Sequence, residues 1–264
     1  MGALSMRNRA GTYFLAGLLT LVCGVVLVKV TSVRTDGGES ITVAVAANFT
    51  VPAQVLAQRF EQETGVKVLL SFASTGKFYT QIVNGAPFDV FLTADAKHPA
   101  KLEAEGHAVA GTRRTYAVGR LVLWSKTRPV AGDGEGLLKS GGYNRLAIAN
   151  PRHAPYGVAA RETLEALGLW ETVQPRVVTG ENIGQTFTFV ATGNAEVGFV
   201  ALSQVMEPGE GVVGQYWPVP QELYSEIDQQ SVLLKDTGAG RRYLEFLQSE
   251  ESVKLIESYG YGVP

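Results

Sequence analysis

The sequence predicts an α/β protein of two lobes, each a mostly parallel sheet flanked by helices. Three observations predict it. From residue 41, apolar runs of strand length alternate with helical patterns in the order β-α-β-α-β-α. A second alternation of the same kind begins near residue 145. Between the two stands one long strand-like stretch, "TYAVGRLVLWS".

The elements follow in order. "ITVAVAA" (41–47) reads as a strand that passes almost without a loop into a helix. Pro52 suits the first turn of that helix, Val51, Val55, Leu56 and Phe60 make one face, and Gly65 fits its stop. "VKVLLSF" is the next strand. "ASTGKFYTQIVNG" is a second strand-to-helix junction, with Phe78, Ile82 and Val83 on one side and Gly85 at the end. "DVFLTA" is a third strand and "KHPAKLEAEG" a short helix. The glycine-rich segment 131–142 reads as a flexible surface loop. Then "RLAIAN", "RVVT" and "EVGFVAL" are strands, with "APYGVAARETLEALG" and "NIGQTFTFVATG" as the helices between them. "QQSVLLK" is a last strand, and two helices close the chain. No solenoid repeat and no low-complexity tract interrupts this order.

The chain has 264 residues, of which 18% are charged, and a formal net charge of −2, so a nucleic-acid footprint is not expected. Its N-terminus has a different character. Arg7 and Arg9 precede an uncharged run from Tyr13 to Val28, which Lys29 ends, and Val30-x-Ser32 offers a cleavage site. Together these read as a secretory signal. The run is shorter than the ~20 residues of a usual spanning helix but near the ~17 lower limit, so an uncleaved anchor stays open. Cys23 is the single cysteine, and Val22 stands where lipidation needs a small residue. It reads as an apolar member of the signal segment, which leaves the exported part without a disulfide.

The familiar catalytic motifs are absent. There is no Walker A loop, G-x-S-x-G, H-E-x-x-H, C-x-x-C or EF-hand loop. His98, His107 and His153 are scattered and read as surface or capping residues rather than metal ligands. Asp89 and Asp95 flank a strand and suit capping or turn roles. No nucleophile–base set assembles, and no enzyme is expected. What recurs is a polar, uncharged residue at helix starts: Asn48, Ser74, Thr75 and Asn182. Any one of them is a good N-cap. Four at corresponding ends of two lobes point to an anion held by helix N-termini without a basic side chain.

Several motifs carry a resemblance. "AVAANF", "SFASTGKFYTQIVNGAPFDVFLTAD", "NPRHAPYGVAARETLEALG", "GENIGQTFTFVATGNAEVGFVALSQ" and the closing "SYGYGVP" resemble the molybdate-binding periplasmic proteins, solute-binding subunits of molybdate ABC importers. The resemblance spans residues 41–264. It implies a two-lobed periplasmic binding protein (type II) fold with the ligand in the interlobe cleft. Lobe I is expected over 41–118 plus 229–264 and lobe II over 119–228, after a signal or anchor (1–32) and a linker (33–40). It implies no catalytic residue, no cofactor and no directly ligated metal, with molybdate or tungstate as the ligand. An ABC permease is the implied partner, no nucleic acid is, and any membrane contact is through the N-terminal segment. The protein is expected to be an exported monomer, in the periplasm or on the outer face of the cytoplasmic membrane. Readings that keep the same cleft are a sulfate or thiosulfate binder and a membrane-tethered anion sensor.

Carried onto this chain, the resemblance assigns the oxyanion to Asn48, Ser74, Thr75, Tyr156 and the backbone N–H of Ile183. Ala47 and Asn182 are secondary candidates. Many members have serine at the position of Asn48 and tyrosine where this chain has Ala201. The subgroup with asparagine and Tyr156 also tends to carry threonine where Ala47 stands, which leaves the donor count open. Asn48-Phe49-Thr50 spells a glycosylation sequon that this reading treats as coincidence.

Neutral donors suit such a ligand. Molybdate and tungstate are proton-free dianions near neutral pH and offer only acceptors. Hydrogen phosphate carries a proton that would face a donor, and an unpaired buried polar group costs ~1–3 kcal/mol. Sulfate has no proton either, so cavity size must reject it.

Overall fold

The computed structural model describes residues 38–208 and 211–263. The signal or anchor (1–32), Cys23 and most of the linker lie outside them. No helix among the described residues is long and apolar enough to cross a membrane.

The first sheet begins with β1 (Ser40–Ala46), β2 (Lys67–Ala73) and β3 (Val90–Leu92), connected by α1 (Thr50–Thr64) and α2 (Thr75–Val83). Both β2 and β3 pair in parallel with β1. α3 (Lys97–Ala104) leads to β4 (Arg114–Gly119). The second sheet holds β5 (Leu121–Ser125), β6 (Leu146–Ala149), β7 (Val177–Gly180) and β8 (Val197–Ala201). Its helices are α4 (Gly134–Ser140), α5 (Pro155–Ala166), the short α6 (Trp170–Val173) and α7 (Ile183–Ala191). A two-stranded ribbon, β9 (Met206–Glu207) and β10 (Gly211–Val212), precedes β11 (Gln215–Pro218). β12 (Ile227–Leu233) then returns to the first sheet, and α8 (Gly238–Leu247) and α9 (Glu250–Ser258) follow.

The sheet orders are β2-β1-β3-β12-β4 and β11-β5-β8-β6-β7. In each, the strand between its two parallel neighbours (β1, β6) sends successive connections to opposite sides. That is the topological switch point at which α/β sheets bind ligands. The sheets are mixed rather than mostly parallel: β12 runs antiparallel to both β3 and β4, and β5 to both β8 and β11. Sequence alternation reads the βα units well, but it does not show the direction in which a returning strand inserts.

The expected long strand over 115–125 is two strands in different sheets, with Arg120 between them. Gly119 marks the break. A Cβ there would lie 2.3 Å from the Tyr156 hydroxyl and 2.9 Å from Gln229 Nε2. The expected surface loop over 131–142 contains α4, capped by the Asp133 carboxylate accepting from Gly136 N–H. Val51 is exposed and not part of the buried face of α1, which Leu56 and Phe60 form. Gly65 takes the left-handed conformation after α1, as expected of its stop. Asp89 accepts from the Thr42 backbone and hydroxyl, and Asp95 accepts from His98 N–H, so both serve strand ends and turns.

Apolar clusters cover both faces of each sheet. Phe60, Tyr243 and Leu247 belong to the one under α1 and α8, and Phe78 and Leu102 to the one under α2 and α3. Leu146, Leu164 and Phe199 lie in the cluster beneath α5, and Val190 and Val200 in the one beneath α7. The start of α5 sits close on β6: a Cβ on Gly157 would lie 2.2 Å from the Ala149 carbonyl oxygen. Because the obstacle is backbone, Gly157→Ala should destabilise the protein by about 1–3 kcal/mol. The measurement is a urea midpoint, and an unchanged midpoint would mean that the junction relaxes freely.

Candidate functional site

Five strand ends converge on one small cavity. Ala46, Ala47 and Asn48 line it from the end of β1, Ser74 and Thr75 from the end of β2, and Ala94 from beyond β3. Ala154, Pro155 and Tyr156 come from the start of α5, and Asn182 and Ile183 from the start of α7. The structure thus brings all seven sequence-predicted residues together. Most of the wall is nearly inaccessible to solvent; Tyr156 is 1% and Ser74 3% exposed. No charged side chain is among the described lining residues.

Contacts between the two sheets' elements close the cavity. Gly76 N–H donates to the His153 carbonyl at 2.9 Å, and the Ser203 hydroxyl donates to the Asn48 carbonyl at 3.1 Å. Lys77 and Glu181 form an exposed ion pair at 2.5 Å beside it. Their charges cancel, and such pairs contribute little to stability.

The four polar helix-start residues divide into two kinds. Only Asn182 caps: its side-chain oxygen accepts from Gln185 N–H at 2.9 Å. The cap uses only the amide oxygen, and Asn182 lines the cavity as well. Asn48 and Ser74 make no side-chain cap, and Thr75 is the first residue of α2. For these three the capping reading is corrected. Chain geometry at each start leaves backbone N–H groups pointing outward, so a side-chain cap is optional where another acceptor can take them.

Ser74 Oγ is buried and has no hydrogen-bond partner. The other two such atoms among the described residues, on Tyr143 and Tyr243, are not on the cavity wall. Thr75 Oγ1 accepts from Ala94 N–H at 3.0 Å, which leaves its own proton to donate. The Tyr156 hydroxyl accepts from Gln229 Nε2 at 3.2 Å, and no acceptor for its proton is found among the described residues. Burial holds this phenol well above its ordinary pKa, reinforced by the phenols of Tyr261, Tyr116 and Tyr224. It stays protonated, and so stays a donor, in alkaline solution. Ile183 opens α7 and offers a free backbone N–H.

The expectation for Asn48 needs the largest correction. Both hydrogens of its side-chain amide are committed, to Gln229 Oε1 at 2.8 Å and to the Tyr261 hydroxyl at 3.0 Å. Its side-chain amide therefore has no hydrogen left for the cavity that the residue lines. Ala47 lines the wall with a methyl group and adds no side-chain donor. Ala201, which stands where many members of the resembled family have tyrosine, is buried in the same apolar cluster as Tyr156.

Three residues were missed in the sequence. Gln229 and Tyr261 fix Asn48 from below. Gln204 donates to the Ile183 carbonyl at 3.1 Å while accepting from Ala201 N–H, and so orients the first peptide of α7. Glutamine carries no sequence signal of such a role, but "SYGYGVP" does place two tyrosines near the C-terminus.

Two outcomes follow. Ser74→Ala should leave the stability of the ligand-free protein within about 0.5 kcal/mol or raise it, because the hydroxyl has no partner to lose. A larger loss in thermal melts would reveal a structural bond. With no carboxylate, histidine or lysine in the wall and the phenol pKa raised, ligand affinity should hold from about pH 7 to about pH 10, where a free tyrosine is half ionised. Titration at both limits checks this, and a fall near pH 8 would place another titrating group in the site.

Residues 41–262 match the family model "Bacterial extracellular solute-binding protein". The chain is 50% identical over 226 residues to the molybdate-binding protein ModA of Azotobacter vinelandii, covering 84% of this chain and 90% of that one. It is 48% identical over 249 residues to ModA of Rhodobacter capsulatus, covering 93% and 94%. The solved structure of the Azotobacter vinelandii periplasmic molybdate-binding protein superposes with a TM-score of 0.82 at 38% identity, over 85% of this chain and 99% of that one. With the two-lobed α/β fold and the closed cavity between its sheets, these likenesses place the chain in the bacterial extracellular solute-binding protein family, among the relatives of the molybdate-binding proteins.

Proposed function

We infer that this protein captures molybdate or tungstate outside the cytoplasm and delivers it to an ABC permease. The observation that carries the reading is a closed cavity whose free side-chain hydrogens all belong to neutral donors. Ser74 Oγ is buried without a partner, and Tyr156 and Thr75 each accept from the protein and keep a proton to give. The starts of α1, α2 and α7 add backbone N–H groups and the positive ends of helix dipoles. A tetrahedral dianion without protons would satisfy all of them. The names of the relatives point to the same ligand.

On this reading Asn48 acts through its backbone N–H, Ser74, Thr75 and Tyr156 through their hydroxyls, and Ile183 through its backbone N–H. Lobe I is assigned to 41–118 plus 229–264 and lobe II to 119–228. Residues 1–32 export the chain or tether it, the binding unit works as a monomer, and no chemistry is done on the ligand. Donors from both lobes make the closed state bind better than the open one, which is the condition for closure to trap the ligand.

Calorimetry on residues 33–264 with molybdate, tungstate, sulfate and phosphate tests the reading. Strong binding of the first two and none of sulfate is expected. Sulfate bound as tightly as molybdate would overturn it. Tyr156→Phe should weaken molybdate by ~1–2 kcal/mol, and Ser74→Ala by a similar amount. An unchanged affinity for Tyr156→Phe would return the phenol to a packing role.

A further inference from the structure

Below the cavity, four buried polar side chains are joined in one directed chain. It starts at an atom that can only accept, the Asn48 carbonyl. The Tyr261 hydroxyl donates to it at 2.9 Å, which commits the single phenol proton. The Tyr261 oxygen is then an acceptor, and the Asn48 side chain must present its NH₂ to it, at 3.0 Å. The second amide hydrogen meets Gln229 at 2.8 Å, so Gln229 must present its oxygen there. Tyr116 Oη also lies 3.1 Å from that oxygen. With Oε1 so placed, Nε2 points to the Tyr156 hydroxyl, which becomes the acceptor. The phenol proton is left for the cavity.

The backbone is built for this arrangement. The β12–β4 register shifts between Gln229 and Gln230: Gln229 pairs with Ala117 and Gln230 with Thr115. Tyr116 is the extra residue of the bulge, a device that re-aims side chains. Gln229 is wholly buried. The chain tail reaches the same place because Val118 and Gly262 exchange backbone hydrogen bonds of 2.7 and 2.9 Å, which seats Tyr261.

We propose that Gln229 is a positioning residue for anion selectivity: by donating to the Tyr156 oxygen it fixes that phenol as a donor toward the cavity and so excludes oxyanions that carry a proton. The inference rests on the oxyanion reading above. Reversing the amide would let Tyr156 donate to Gln229 and turn a lone pair toward the ligand. Such a lone pair would accept the proton of hydrogen phosphate.

Gln229→Glu enforces that reversal while its carboxyl is ionised, since a carboxylate can only accept from the phenol; a protonated carboxyl would donate as Gln229 does, so the ratio is read on the alkaline side of the carboxyl's titration. Molybdate and hydrogen phosphate, compared at a pH where both are dianions, feel the added charge alike, so it cancels in the ratio of their dissociation constants. The expected result is a fall in the preference for molybdate over phosphate of about tenfold or more, the factor worth one misdirected buried hydrogen bond. In a Tyr156→Phe background the same substitution should leave the ratio unchanged. Gln229→Met, which removes both polar atoms at similar volume, gives a second arm should the buried carboxylate unfold the protein. It should narrow the ratio by about threefold, again only when Tyr156 is present. A ratio that stays fixed in both variants, or that falls equally without the phenol, would overturn the proposal. Absence of molybdate binding by the unaltered protein would instead overturn the oxyanion reading itself.

Discussion

The constraint on which the site depends is that Gln229 must satisfy both lobes at once. Its side chain bridges Asn48, at the end of β1, and Tyr156, at the start of α5. Because β12 returns from the second sheet into the first, Gln229 stands beside the crossover, next to Gly119 of the outgoing strand. The absence of a side chain at Gly119 makes the space in which the Tyr156 hydroxyl and Gln229 Nε2 meet. Packing, topology and hydrogen-bond direction are therefore fixed at one point. A buried polar network of this kind is tolerable only when its members are satisfied. Here the one open valence is directed at the cavity.

Around that point the aromatic residues form a rigid floor. Phe49 packs edge-on against Tyr116 and Tyr261, with ring centroids 4.9 and 5.4 Å away. Burial raises the pKa of all three phenols, Tyr116, Tyr156 and Tyr261. The sign is the same for each: the neutral form is favoured in the fold, so the stability it supplies is present below about pH 10 and is lost only above it. A site built of neutral donors on a floor of neutral phenols is thereby insulated from pH across the physiological range. Lysine or arginine in the wall would have required desolvation of a charge whenever the cavity closed.

Much of this was legible in the sequence. The βα alternation was visible because strand and helix periods differ, and Gly65 and Gly85 mark stops that the backbone does use. Helix-start residues were visible because their type is restricted. Their roles were not: capping and ligand donation use the same residues, and only geometry shows that Asn182 caps while Ser74 does not. The break at Arg120 was hidden because both halves, "TYAVG" and "LVLWS", are strand-like; what separates them is contact with Tyr156, far along the chain. Gln229, Gln204 and Tyr261 were invisible for the same reason. Each acts through partners between 3 and 213 positions away, and neither glutamine nor tyrosine at those positions departs from ordinary strand or tail composition.

The orphaned hydrogens also bear on when the cavity should close. In an open form, water can satisfy Ser74 Oγ, the Tyr156 proton and the free N–H groups of the helix starts. Closing over nothing strips that water, and each buried donor left unpaired costs ~1–3 kcal/mol. Among the described residues the polar cross-lobe contacts on the other side of the balance are few: a backbone hydrogen bond at Gly76, one from Ser203, one from Gln229 to Tyr156, and an exposed ion pair at Lys77. An exposed pair of that kind is worth at most about 1 kcal/mol and a net hydrogen bond about 0.5–1.5 kcal/mol. Two or three stranded donors are enough to offset them. An anion that pairs all of the donors reverses the balance, whereas one that leaves a proton facing Tyr156 restores part of the penalty. Selectivity and closure are then one property of the same small set of hydrogens, which is why the direction of the Gln229 amide matters to both.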